Sequence, residues 1–180
     1  MKLAITGHTK GIGKALYDRA NIEGYETVGF SRSNGYDLSL TRLVDKIVDA
    51  DVFINNAYSP LYQTQLLRDI LKEWKDKDKL IVNISSKISL LDKSPPGLEQ
   101  YYKDKKQQNN IMRKHSIRAY PRLLNVIPVL VDTDMAKVYD VSTKIKPKDL
   151  ADMIFPLIKH NSISVQQLVI DAPHFDWKSV

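Results

Sequence analysis

Two tyrosine–lysine pairs stand four residues apart in one polar stretch, Tyr101 with Lys105 and Tyr102 with Lys106. On a helix, side chains at i and i+4 project from one face within reach of each other. A free tyrosine holds its proton up to about pH 10, and a nearby ammonium favours the phenolate and lowers that value. Such a pair suits proton transfer to and from an oxygen, which carbonyl reduction needs beside a hydride donor. Near the start, Thr6-Gly7-His8-Thr9-Lys10-Gly11-Ile12-Gly13 follows an apolar run and opens a helical pattern. A helix N-terminus offers free N–H groups and partial positive charge, a natural seat for a pyrophosphate. There Gly7 makes the tight turn, Gly11 lets the backbone approach phosphate, and Gly13 lets the helix pack on the strand.

The elements that must position these groups alternate along the chain. Strands are expected at 2–6, 27–31, 51–55, 79–84, 122–127 and 165–170, and helices at 14–23, 40–49, 63–74, 101–119 and 148–158. Short apolar strands alternating with longer amphipathic stretches mark an α/β fold: a doubly wound, Rossmann-type parallel sheet with helices on both faces. Ser94-Pro95-Pro96-Gly97 reads as a loop, since consecutive prolines remove backbone donors and glycine permits a turn. With no repeat or composition shift, residues 1–180 are expected to form one domain.

Composition narrows the function. Of the 180 residues 43% are hydrophobic and 27% charged, enough for a single core and against disorder. The longest nearly apolar run, 123–131, is broken by Asn125 and Pro128 and is too short to span a bilayer. Met1-Lys2 lead straight into Leu3-Ala4-Ile5, leaving no room for a secretory signal. The absence of cysteine excludes disulfides, thiolate metal sites and a cysteine nucleophile, and fits a cytoplasmic location. His8, His115, His160 and His174 lack metal-ligand spacing, so no metal site is expected. A net charge of +6 suits an anionic ligand. Basic clusters at 103–106 and 113–115 raise a nucleic-acid reading that no zinc pattern or aromatic-rich RNA motif supports. Trp74 and Trp177 read as packing anchors.

The spacing Thr-Gly-x-x-x-Gly-x-Gly resembles that of short-chain dehydrogenases/reductases, and further segments resemble that family in order. Asn55-Asn56-Ala57 is similar to its Asn-Asn-Ala-Gly, with Tyr58 in place of glycine. Asn83-Ile84-Ser85-Ser86 resembles the segment of its catalytic serine, and the offset from the asparagine selects Ser86 over Ser85. Tyr101-x-x-x-Lys105 resembles its catalytic pair. Pro128 to Met135 resembles its Pro-Gly-x-Val-x-Thr-x-Met, with Val129 for glycine. The resemblance favours Tyr101/Lys105 over Tyr102/Lys106, because Ile111 then falls where the family helix carries an apolar contact and the serine–tyrosine separation is closer.

The resemblance implies that Tyr101 is the acid/base, that Lys105 lowers its pKa and binds the nicotinamide ribose, and that Ser86 holds the substrate oxygen. It implies cofactor contacts at Thr6, Gly7, Lys10, Gly11, Ile12, Gly13, Ser31, Arg32, Asp37, Asn55, Ala57, Tyr101, Lys105, Pro128 and Thr133. The second strand ends in Ser31-Arg32 with no carboxylate to hold a ribose 2′-hydroxyl, and Arg32 with Lys10 suits a 2′-phosphate. NADP(H) is therefore expected over NAD(H). The activity implied is hydride transfer between nicotinamide and a small carbonyl or alcohol substrate, by a dimer or tetramer assembled through the helices expected at 63–74 and 101–119. The chain departs from the family in its shortened middle, its short lid after Thr133 and the lack of the family's fourth catalytic residue, an asparagine. Gln63 or Gln65 stands nearest to replace it. These departures motivate the alternative of a non-catalytic dinucleotide-binding sensor or regulatory module.

Overall fold

The computed structural model describes residues 1–139, 141, 143–160 and 162–175; Trp177 lies outside them. β1 (Lys2–Thr6) leads into α1 (Gly11–Ile22) and β2 (Glu26–Phe30). A 3₁₀ turn (Arg32–Asn34) and the short α2 (Val44–Ile47) follow, then β3 (Val52–Asn55), α3 (Tyr62–Glu73) and β4 (Leu80–Ile84). Another 3₁₀ turn (Lys87–Leu90) precedes α4 (Glu99–His115) and β5 (Arg122–Pro128). A third (Asp134–Ala136) precedes α5 (Pro147–Lys159) and β6 (Gln167–Ile170).

All pairings are parallel, in the order β2-β1-β3-β4-β5-β6. The order reverses beside β1, and in such sheets the crevice outside the strand C-termini at the reversal is where ligands bind. Alternation along each strand divides the core. Leu3, Ile5, Val52, Ile54, Val82 and Val126 face α1 and α5, where Leu16, Ile154 and Phe155 are buried. Ala4, Phe53, Ile81 and Leu123 face α2, α3 and α4, packing against Ile47, Leu67, Ile70, Trp74 and Met112. Parallel strands buried on both faces read as continuous apolar runs, as these do.

Two expected helices come out shorter. The stretch at 40–49 is α-helical only over Val44–Ile47, because the Asp37 carbonyl captures the amides of Leu40 and Thr41 in a turn and Leu40 faces solvent. The helix expected to reach residue 119 stops at His115, beyond which Ile117 is exposed and supplies no buried face. Conversely α1 begins at Gly11 rather than residue 14, so the glycine turn is itself the first helical turn. Among the described residues no helix is long and apolar enough to cross a membrane.

Candidate active site

The glycine turn, the turn after β2, Asn55 to Ala57, Ser85 and Ser86, and the segment after Pro128 all lie at the C-terminal edge of the parallel sheet, and Tyr101 and Lys105 lie on α4. Gly7 and Gly11 adopt φ of 73° and 52°, where a side chain is strained. Gly13 answers to a different demand: a Cβ there would stand 2.0 Å from the Gly7 carbonyl oxygen and 2.5 Å from Asn56 Nδ2. Thr6 is buried, and its hydroxyl accepts from the amides of Asn56 and Ala57, both at 3.0 Å. Asn56 returns the tie through Nδ2 to the Thr6 carbonyl at 2.9 Å. The turn is thus clamped to the β3–α3 loop, while α1, whose N-cap is Lys10, has no side-chain cap hydrogen bond. Its first amides stay open to an anion. This cradle fits a dinucleotide pyrophosphate.

At the end of β2, Ser31 to Asn34 form a tight turn in which Asn34 Oδ1 accepts from the Ser31 amide at 2.8 Å and Nδ2 donates to the Gly29 carbonyl at 2.9 Å. The exposed Arg32 guanidinium makes no hydrogen bond or ion pair with another described residue, although its field helps hold Asp37 ionised. The Asp37 carboxylate accepts from the Ser39 amide and hydroxyl, at 2.8 and 2.7 Å, and lies below the usual carboxylate range for that reason first. Lys10 reaches Asp134, 3.7 Å away on the far side of the glycine turn, rather than toward Arg32.

Further along the edge, a cleft of about 670 Å³ opens between the Pro128–Ala136 segment and the stretch from Ser85 to Tyr101. Ile12, Ser86, Tyr101, Pro128 and Thr133 all line it. Ser86 sits at the start of its 3₁₀ turn with Oγ accepting from the Ile88 amide, and its side chain lies near enough to Tyr101 to favour the phenolate there. Burial raises Tyr101 above the usual phenol value, contrary to the lowering expected from Lys105, and the nearby Ser86 side chain opposes that rise. Ser85 also lines the cleft, but its hydroxyl donates to Asn109 Oδ1 at 2.7 Å.

The two tyrosine–lysine pairs have separate surroundings. Tyr102 donates to the carbonyls of Leu91 and Asp92, both at 3.2 Å, and accepts from the exposed Lys106. Lys105, by contrast, is 2% exposed. Its Nζ donates to Gln63 Oε1 at 2.8 Å, the Ile84 carbonyl at 2.9 Å and Gln108 Oε1 at 3.5 Å, and stands 5.5 Å from the Tyr101 ring centre. Burial pushes this lysine down to about 7, opposed by the charge of Asp104. All three ammonium donors have protein acceptors, so none is spare in this geometry for a ribose.

Sequence reasoning missed much of what holds this pair. Gln63, fully buried, accepts from Lys105 while its Nε2 donates to the Asn55 and Ile84 carbonyls; Gln65 is exposed and bonds Asp69 instead. Asn55 is buried as well, its Nδ2 donating to the Gln63 carbonyl and to Asn83 Oδ1, so its side chain serves the interior rather than the cleft. The row continues from Asn83 to Asn125 at 2.9 Å and Asn125 to Asn109 at 2.8 Å, neighbours in register across β3, β4 and β5. Asn55 Oδ1 at the head of this row has no partner. Tyr58 packs edge-on against Tyr101 with ring centres 4.8 Å apart, and its hydroxyl donates to the buried Asp104 at 3.1 Å. Burial and that carboxylate drive Tyr58 well above the ordinary phenol value. Tyr58 therefore stays neutral, leaving Tyr101 as the tyrosine beside Ser86 at the cleft. Recurrent Asn and Gln at strand ends were the available sequence signal, but their partners are set only by the sheet register.

The architecture is the one that short-chain dehydrogenases/reductases share. A 3-alpha-hydroxysteroid dehydrogenase from Pseudomonas sp. B-0831, complexed with NADH, superposes with TM-score 0.77 at 16% identity over 95% of each chain. The closed form of a serine dehydrogenase complexed with NADP+ gives 0.76 at 14% identity over 94% of each chain. A short-chain dehydrogenase/reductase from Vibrio parahaemolyticus gives 0.75 at 16% identity, over 94% of this chain and 98% of that one. No family model matches the sequence, and no curated protein does. At these identities the likeness is one of fold.

Proposed function

We propose that this chain is a short-chain dehydrogenase/reductase-type oxidoreductase that uses NADP(H) to interconvert a carbonyl and an alcohol. The observation that carries the reading is the Ser86–Tyr101 hydroxyl pair on the wall of a cleft that also reaches Ile12 beside the glycine cradle. Neighbours in fold include NADH and NADP+ complexes, which supports a nicotinamide dinucleotide in general. The 2′-phosphate preference rests on Arg32, whose uncommitted fork suits a phosphate, and on Ser31 and Ser33 in the same turn.

Ile12, Pro128 and Thr133 would hold the nicotinamide, which when bound would supply or accept the hydride. In reduction Tyr101 gives its hydroxyl proton to the carbonyl oxygen as negative charge develops there, so that carbonyl, hydride and proton make the alcohol. In oxidation the Tyr101 phenolate takes the alcohol proton. Ser86 donates to the substrate oxygen and holds it beside Tyr101, a form of preorganised charge stabilisation. Lys105, held by Gln63 and Gln108, acts through space and favours the phenolate while it keeps its proton, below about pH 7.

One observation favours the sensor reading: the three donors of Lys105 are all taken by protein acceptors. The deciding experiment follows NADPH oxidation with a panel of aldehydes, ketones and quinones, comparing the wild type with Tyr101→Phe. Turnover that Tyr101→Phe abolishes while NADPH still binds supports the enzyme. Silence throughout, with tight NADPH binding, supports the sensor.

A further inference from the structure

Resting on that reading, we infer that the substrate is a neutral, largely apolar carbonyl compound or its alcohol, with a single polar group presented to Ser86 and Tyr101 and no carboxylate, phosphate or ammonium of its own. The cleft has the volume of sites that enclose a small ligand. Among the described residues none of those lining it is Asp, Glu, Lys, Arg or His. With the nicotinamide end at Ile12, Pro128 and Thr133, the outer part lies between two apolar walls. Ile88, Leu91 and Pro95 form one wall, and Met135, Val138 and Phe175 form the other.

Four lysines on the segments bordering the cleft are engaged elsewhere. Lys87 is paired with Asp171, Lys137 with Asp134 at 2.6 Å, Lys10 with the same Asp134, and Lys144 donates to the Ala136 carbonyl at 3.0 Å. A substrate carboxylate buried here would lose its hydration with no partner in return, which is strongly unfavourable. Among the other lining hydroxyls Ser85 is committed to Asn109 and Tyr58 to Asp104, and Thr133 lies at the nicotinamide end, so Ser86, Tyr101 and Tyr139 are the hydroxyls left to meet a ligand oxygen. At the rim, Met135 is 61% and Val138 79% exposed. An apolar ligand seated between the walls would cover both, and burying that surface drives binding.

The test uses the NADPH-loaded protein and two ketones of one skeleton, 4-tert-butylcyclohexanone and 4-oxocyclohexanecarboxylate. The expected result is a kcat/KM at least about tenfold higher for the neutral ketone. Equal or better use of the carboxylate overturns this inference and leaves the oxidoreductase reading standing. Val138→Arg, at an exposed rim position that leaves the fold intact, should move the ratio toward the carboxylate at least about threefold. An unmoved ratio counts against the placement. If neither ketone turns over, calorimetry with the NADP+-loaded protein decides. Tighter binding of the neutral ketone supports the apolar site while the oxidoreductase reading falls. Tighter binding of the carboxylate, or no binding of either, overturns the apolar site.

Discussion

Lys105→Met separates two forces acting on the buried lysine. Burial lowers the group from 10.5 to about 7, worth roughly 5 kcal/mol of preference for the neutral amine. Against that, three acceptors suit the ammonium, and a neutral amine would leave one of them without a donor. If burial dominates, folded and unfolded chains both hold the proton below about pH 7 and differ above it. From there to about 10.5 the unfolded chain binds one more proton, so wild-type stability rises with pH by about 1.4 kcal/mol per unit. Methionine removes the titration. It leaves Gln63 Oε1 and the Ile84 carbonyl without the ammonium, at about 1–3 kcal/mol for each acceptor left unpaired, offset by release of the buried charge. Absolute stability near neutral pH therefore changes little, and the diagnostic quantity is the slope. Urea unfolding of both proteins at pH 7 and pH 9.5 should show the wild type gaining about 3 kcal/mol relative to the variant. Reduction should lose kcat/KM above about pH 7 through the same ionisation, and the variant should lack that step. Parallel stability curves for the two proteins would refute the reasoning and show that the three acceptors keep Lys105 charged.

Tyr101→Phe should lower turnover by about 10²- to 10⁴-fold with NADPH affinity kept, whereas Tyr102→Phe, whose hydroxyl serves two loop carbonyls, should stay within about threefold of wild type by steady-state kinetics. Gly13→Ala drives a Cβ toward the Gly7 carbonyl, which should cost about 1–3 kcal/mol in a thermal melt and abolish cofactor binding by calorimetry. Arg32→Ala should weaken NADPH about 10- to 150-fold, the loss of charge-assisted bonds, while leaving the NADH dissociation constant unchanged.

Strand positions were legible because each β1, β3, β4 and β5 segment is a short apolar run buried on both faces, and a run such as Leu80–Ile84 has no competing helical period. The stretch at 40–49 misled because its apolar residues have helical spacing, whereas local capture of amides by the Asp37 carbonyl is invisible in a pattern. In the site, the glycine turn was readable from context. The choice between Tyr101/Lys105 and Tyr102/Lys106 was not readable from spacing, because the inward face of α4 carries Asp104, Lys105 and Gln108 beside Ile111 and Met112. A buried face that polar gives no apolar stripe to set the phase of the helix. The amide row from Asn55 to Asn109, the seat of Gln63 and the Tyr58–Asp104 bond depend on register and on contacts far apart in the chain, which periodicity does not encode.

The most direct test of the account is calorimetric titration of the purified protein with NADPH and, in parallel, NADH. The account predicts saturable binding of NADPH with a dissociation constant at least about tenfold below that for NADH, the margin that Arg32 should supply. Binding of NADH alone, or no binding of either, would contradict it.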